Sequence, residues 1–193
     1  MIAIQLKELL LQSLVHERGG ALVYRTALEC AINDDLRAEW KKYLTQTEKH
    51  IALLTTACQA LGIDPGDMTP GCQVVQHLGE SLVVAMKMAL AANNPAAAQL
   101  VACECVVLAE TKDHADWELI GKCTENMDAA GADALKAAYA EVEDEEDEHL
   151  YHTQGWCREL WLQALGLKAV LPPPEEQRDV KTAAAAEKVR EAR

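Results

Sequence analysis

Three glutamates stand where a helical bundle would be expected to bury leucine, and this restricts the fold more than any other feature of the chain. Four long segments repeat apolar residues at alternating three- and four-residue steps, which keeps one helical face turned to a bundle core. The first runs Leu10, Leu14, Glu17, Ala21, Tyr24, Leu28, and the second Trp40, Leu44, Thr47, Ile51, Leu54, with His50 beside it. The third runs Leu100, Cys103, Val107, Glu110, His114, Trp117. The last runs Leu135, Tyr139, Val142, Glu146, His149, Thr153, Trp156, Leu160. A lone carboxylate in such a seam costs several kcal/mol unless it is neutralised or paired. No Lys or Arg shares these seams near Glu17, Glu110 or Glu146, so another compensation is required.

Helix punctuation divides the chain into segments at 3–31, 35–62, 72–92, 95–123 and 130–165. "INDD" (32–35) reads as a tight turn in which Asn33 or Asp34 caps the next helix. "GIDPGDMTPG" (62–71) breaks helix, and "NNP" places Pro95 at a first helical position, where its missing N–H costs nothing. The boundary in "ENMDAAGAD" (125–133) is the weakest. A helical crossover of this length spans about 30 Å at 1.5 Å per residue, enough to return along a bundle. The expected fold is all-α: a four-helix bundle of two antiparallel hairpins, with a helical crossover between the second and third long helices. Residues 1–170 form one domain, and "LPPP" at 171–174 opens a tail to 193, read as a frayed end or an arm docking on a partner.

Heights along the hairpins bring the polar residues together. Glu17 lies 16 residues before position 33 and His50 17 after it, while Glu110 and Glu146 lie 18 residues either side of position 128. Hairpins packed side by side therefore gather Glu17, His50, Glu110, Glu146 and His149 in one layer. The acidic run "EVEDEEDEHLYH" (141–152) contributes only Glu146 and His149 inward. Glu141, Glu143, Asp144, Glu145, Asp147 and Glu148 are read as a solvated face.

One Glu on each of two helices, with Glu-x-x-His on the other two, is the di-iron carboxylate arrangement. "EDEH" (146–149) matches that motif, and "HERGGALVY" and "ETKDHADW" echo each other, with Glu17 and Glu110 each seven residues before an aromatic. Over about residues 3–165 the chain resembles the ferritin-like superfamily, which includes bacterioferritins and rubrerythrins. That resemblance implies Glu17, His50, Glu110, Glu146 and His149 as metal ligands. It implies iron as cofactor, two ions or one, with Mn or Zn as alternatives, and an oxidoreductase acting on dioxygen or peroxide, of ferroxidase or iron-detoxifying type. The sequence departs from the pattern at "TEKH", where Thr47 replaces the first Glu of a Glu-x-x-His and His114 is a candidate substitute. Two other readings follow: a hydroxylase of an organic substrate, and a non-enzymatic interaction bundle with a degenerate metal site.

A net charge of −13 argues against nucleic-acid binding. No uninterrupted run of 18 apolar residues predicts a membrane helix, and the start lacks the pattern of a signal peptide. Seven scattered cysteines without a CxxC pair suggest buried thiols in a reducing cytoplasm. His16 and His152 are expected as exposed neighbours of the cluster, and His77 as a surface or packing residue rather than a ligand. Trp156, Trp161 and Leu162 cannot share one seam, which points to a homodimer.

Overall fold

A computed structural model describes residues 4–125, 127 and 131–173. It contains helices α1 (Ile4–Cys30), α2 (Asp34–Ala60), α3 (Pro70–Ala91), α4 (Pro95–Glu125) and α5 (Ala132–Ala164), and no strand among the described residues. The protein is thus all-α, as expected. The expected tail beyond residue 173, and the turn at 128–130, lie outside the described residues.

Local chemistry sets the helix starts. The Asn33 side chain accepts the Leu36 N–H at 3.0 Å, and Thr69 caps α3 by accepting the Cys72 N–H at 3.1 Å. Pro70 occupies the first turn of α3, which therefore starts two residues earlier than the sequence pattern placed it. A capping oxygen satisfies one N–H that the helix geometry leaves without an internal partner.

Helix α1 packs on α2, α4 on α5, α1 on α4, and α2 on α5, so these four close around a common interior. Helix α3 lies outside that ring against α1 and α4. Gln99 of α4 fixes the α1–α2 turn, its Oε1 accepting the N–H groups of Ile32 at 2.7 Å and Asn33 at 2.8 Å. This tie holds one hairpin at a defined height against the other.

The interior has two separate apolar clusters. One gathers Tyr24, Leu36, Trp40, Tyr43, Val106 and Trp156 among others, and the second gathers Leu10, Leu14, Leu54, Trp117, Ile120 and Val142. Trp156 is buried, whereas Trp161 is 39% exposed and donates to Glu104. Helix α3 buries only Cys72, Val75 and Met86 of its 22 residues. By length and composition it alone among the described residues could cross a membrane, with a mean hydropathy of 1.2 in its best window, although Glu80 and Lys87 interrupt it.

Gly131 precedes α5 with φ +89°, a conformation that side-chain-bearing residues rarely adopt. An added Cβ there would also lie 2.3 Å from the Ala60 carbonyl oxygen at the end of α2. Gly131→Ala is expected to lower stability by about 2 kcal/mol, read as a lower urea midpoint at unchanged slope.

Candidate metal centre

Between the two apolar clusters lies a polar layer. Glu17, His50, Glu110, Glu146 and His149 all reach it, and each is at most 2% exposed. The observed seams refine the sequence pattern. Helix α2 buries Leu36, Trp40, Tyr43, Thr47, His50, Leu54 and Ala57, so His50 lies on the seam rather than beside it, and Leu44 and Ile51 are only half-buried. On α4 the buried face continues from Glu110 to Asp113 and Trp117. His114 instead turns half outward and binds Asp147 at 2.7 Å, so it is not the substitute for Thr47. Its pKa is raised, chiefly by that Asp147 contact.

The five residues divide into two triads, Glu17–His50–Glu146 and Glu110–Glu146–His149. Within each, one nitrogen or oxygen per residue lies within 4.8 Å of the others, a spacing that lets one cation touch all three. Glu146 belongs to both. His50 Nδ1 stands 3.0 Å from Glu146 Oε1 and 3.5 Å from Glu17 Oε1. His149 Nδ1 stands 3.5 Å from Glu110 Oε2 and 3.6 Å from Glu146 Oε1.

Both imidazoles are oriented from behind. Glu145 Oε2 lies 2.7 Å from His50 Nε2, and Gln46 Oε1 lies 3.1 Å from His149 Nε2. Gln46 and Glu145 accept an N–H there, which in the neutral imidazole leaves each Nδ1 lone pair facing the layer; this is how proteins commonly fix a metal-ligating histidine. Trp117 Nε1 donates to Glu17 Oε1 at 2.7 Å and fixes that carboxylate. What these contacts leave over is decisive. Glu17 Oε2, Glu110 Oε2, both Glu146 oxygens and both Nδ1 atoms are buried without a hydrogen-bond partner. Buried polar groups are normally satisfied, and this concentration of exceptions marks the layer as one that could hold an ion. The donor set therefore fits a pair of divalent cations bound by carboxylate oxygen and imidazole nitrogen.

In the ion-free layer, protons take up part of the charge. Burial pulls the His50 pKa down, but Glu146 and Glu17 outweigh it and raise it to about 10. Burial, reinforced by Glu110 and Glu17 against the opposing His50, raises Glu146 to about 7. For His149 burial works downward, and the Glu110 carboxylate raises the pKa on balance.

Three residues of the site were not legible in the sequence. Glu145 belongs to the acidic run read as solvated, yet it faces His50 and Lys49. Gln46 carried no signal beyond its place one turn before His50. Asp113 is buried with Oδ1 unpartnered. Burial raises its pKa well above the usual carboxylate range, followed by Glu17, Glu146 and Glu110. His16, expected at the surface, is buried with Nε2 2.9 Å from the Ala109 carbonyl oxygen. His152 is half-buried against the Tyr43 hydroxyl at 3.1 Å, and His77 is exposed as expected. Glu141, Glu143 and Asp144 do face water, and Lys42 pairs with Glu148.

Beside the layer, a largely apolar cavity of ≈ 300 Å³ opens between α1, α3 and α4, bounded by Gly20, Val23, Val75, Leu82 and Ala109. Gly19 and Gly79 bring α1 and α3 close at its edge, a Cβ on Gly79 meeting the Gly19 Cα at 3.7 Å.

These shifts give the ion-free protein a definite pH dependence. The folded His50 pKa lies above its ordinary 6.5, so its stabilising contribution is complete below about pH 6.5 and is lost as pH rises through about 10. Glu146, raised from 4.5 to about 7, acts in the same direction over its own range. In chelator, calorimetry from pH 6.5 to 10 is expected to find the Tm of the wild type falling more steeply than that of His50→Gln. Comparison of the chain with protein-family models, with curated proteins and with solved structures finds no match.

Proposed function

We propose that this chain is a ferritin-like metalloprotein, an oxidoreductase whose four-helix bundle holds two divalent ions, iron foremost, for reaction with dioxygen or peroxide. One observation carries the reading: two carboxylate–histidine triads share Glu146 and leave their inward-facing atoms without partners. Glu17 and His50 would hold one ion, Glu110 and His149 the other, and Glu146 would bridge them. Iron bound there supplies one-electron redox chemistry, with Fe(II) itself as the substrate in a ferroxidase or detoxifying role. The residues around it have separate tasks. Glu145 and Gln46 hold the imidazoles, Trp117 steadies Glu17, and the flanking clusters exclude water above and below. The closed ring of α1, α2, α4 and α5 with α3 outside suits a ferritin-like crossover.

A second reading, oxidation of a small apolar organic molecule at the same centre, draws support from the cavity beside Gly20 and Ala109. Iron oxidation without any added organic compound would favour the first.

Anaerobic Fe(II) titration, repeated with Mn(II), is expected to load two equivalents into the wild type, with near-UV absorbance developing when air is admitted. The double variant Glu146→Ala, His149→Ala should bind neither ion tightly; undiminished stoichiometry would remove the basis of the proposal. Glu145→Ala is expected to weaken affinity by about 10–100-fold, because it leaves His50 without its orienting acceptor.

A further inference from the structure

The cavity between α1, α3 and α4 lies outside the four-helix ring, and its chemistry differs from that of the polar layer. Its ≈ 300 Å³ falls at the low end of the range that small-molecule sites occupy, about 300–1,000 Å³. Val23 from α1, Val75 and Leu82 from α3 and Ala109 from α4 form its walls. A space walled in this way gives water few polar partners to hold it in place.

Three polar side chains also border the cavity, and each is already engaged. His16 Nε2 lies 2.9 Å from the Ala109 carbonyl oxygen, and Ser81 Oγ donates to the His77 carbonyl oxygen at 2.7 Å. Lys112 Nζ donates to Asp116 at 2.6 Å, which balances its charge. A charged ligand entering here would give up its water without gaining a free counter-charge, whereas a hydrocarbon surface gains by the same transfer.

The cavity also has a way in. Leu78 on α3 and Leu108 on α4 line it and are 54% and 62% exposed, so apolar surface continues from the interior to solvent between these helices. On the opposite side, Gly20 forms part of the wall in the middle of α1, where alanine is the better helix former. No backbone requirement keeps glycine there, since its φ is not positive and an added Cβ would meet only the Thr47 Cγ2, at 3.8 Å. The chain forgoes a methyl group where one would fit.

We infer that this cavity is a binding site for one small, uncharged, apolar molecule that enters between Leu78 and Leu108. Its occupation requires no ion in the polar layer. The site would serve the binding step of an organic oxidation, but the inference does not rest on that reading.

The test titrates the full chain, in chelator, with N-phenyl-1-naphthylamine, a neutral apolar probe whose fluorescence rises on leaving water. Its sulfonated counterpart, 1-anilinonaphthalene-8-sulfonate, adds a negative charge to the same body. The expected result is one-to-one binding of the neutral probe in the micromolar range, and binding of the anion at least about tenfold weaker. Leu82→Trp and Val75→Phe each fill the cavity from α3 and leave the four-helix ring unaltered. Either is expected to weaken the neutral probe at least about tenfold, with circular dichroism reporting the fold; should one fail to fold, the other decides. Met88→Ser, on the exposed face of α3 away from the cavity, should leave binding unchanged. Absence of saturable binding, equal affinity for the anion, or undiminished affinity in a folded filling variant would overturn the inference. Loss of binding in Met88→Ser would overturn it as well, by placing the probe on the outer face of α3. None of these results bears on ion loading of the polar layer, which the Fe(II) titration reads separately.

Discussion

A carboxylate taken out of water must find a positive charge, a proton or a set of donors, and this bundle buries three glutamates in one layer with few of any. Glu17 receives Trp117, yet its second oxygen has nothing, and Glu146 has no hydrogen bond at either oxygen. Two imidazoles cannot neutralise Glu17, Glu110 and Glu146 together. The hairpin heights, the Gln99 tie and the orienting acceptors behind His50 and His149 gain a common purpose once cations occupy the middle. Without them, the same features combine to concentrate repulsion.

The acidic run on α5 resolves into layers of function rather than one surface. Glu146 faces the centre, and Glu145 stands behind His50 and reaches Lys49. Asp147 holds His114, Glu148 pairs with Lys42, and Glu141, Glu143 and Asp144 meet water. Successive residues turn about 100° around a helix, so one short stretch can serve the buried layer, the rear side of His50 and the solvent in turn. The same run therefore creates the need for compensation and part of its supply.

Much of this could be read from the sequence, because spacing and punctuation are local signals. Asn33, the breaker at 62–71 and Pro95 place helix starts to within two residues, and counting outward from the turns puts Glu17 level with His50 and Glu110 level with Glu146. What failed was the choice between adjacent positions. From Glu110, steps of three and four residues fall about 60° to one side and 40° to the other of the same face, so Asp113 and His114 competed. Chemistry favoured the histidine, whereas packing against α1 and α5 selected the aspartate. The same ambiguity exchanged Tyr43 for Leu44 on α2. Glu145 and His16 were misread because their partners, His50 and the Ala109 carbonyl, belong to other helices and leave no trace in local pattern.

The division of the interior into two apolar clusters has a mechanical corollary. Each half of the bundle coheres by its own hydrophobic contacts, but the halves meet across a polar belt of three glutamates and two histidines, whose cohesion depends on how that charge is balanced. The protein resembles two beams joined by a bolted splice, with the proposed ions as the bolts. Stripped of them, it should breathe first at mid-length, and amide exchange should be fastest around Thr47 and Glu110 while the helix ends, usually the first to fray, stay protected.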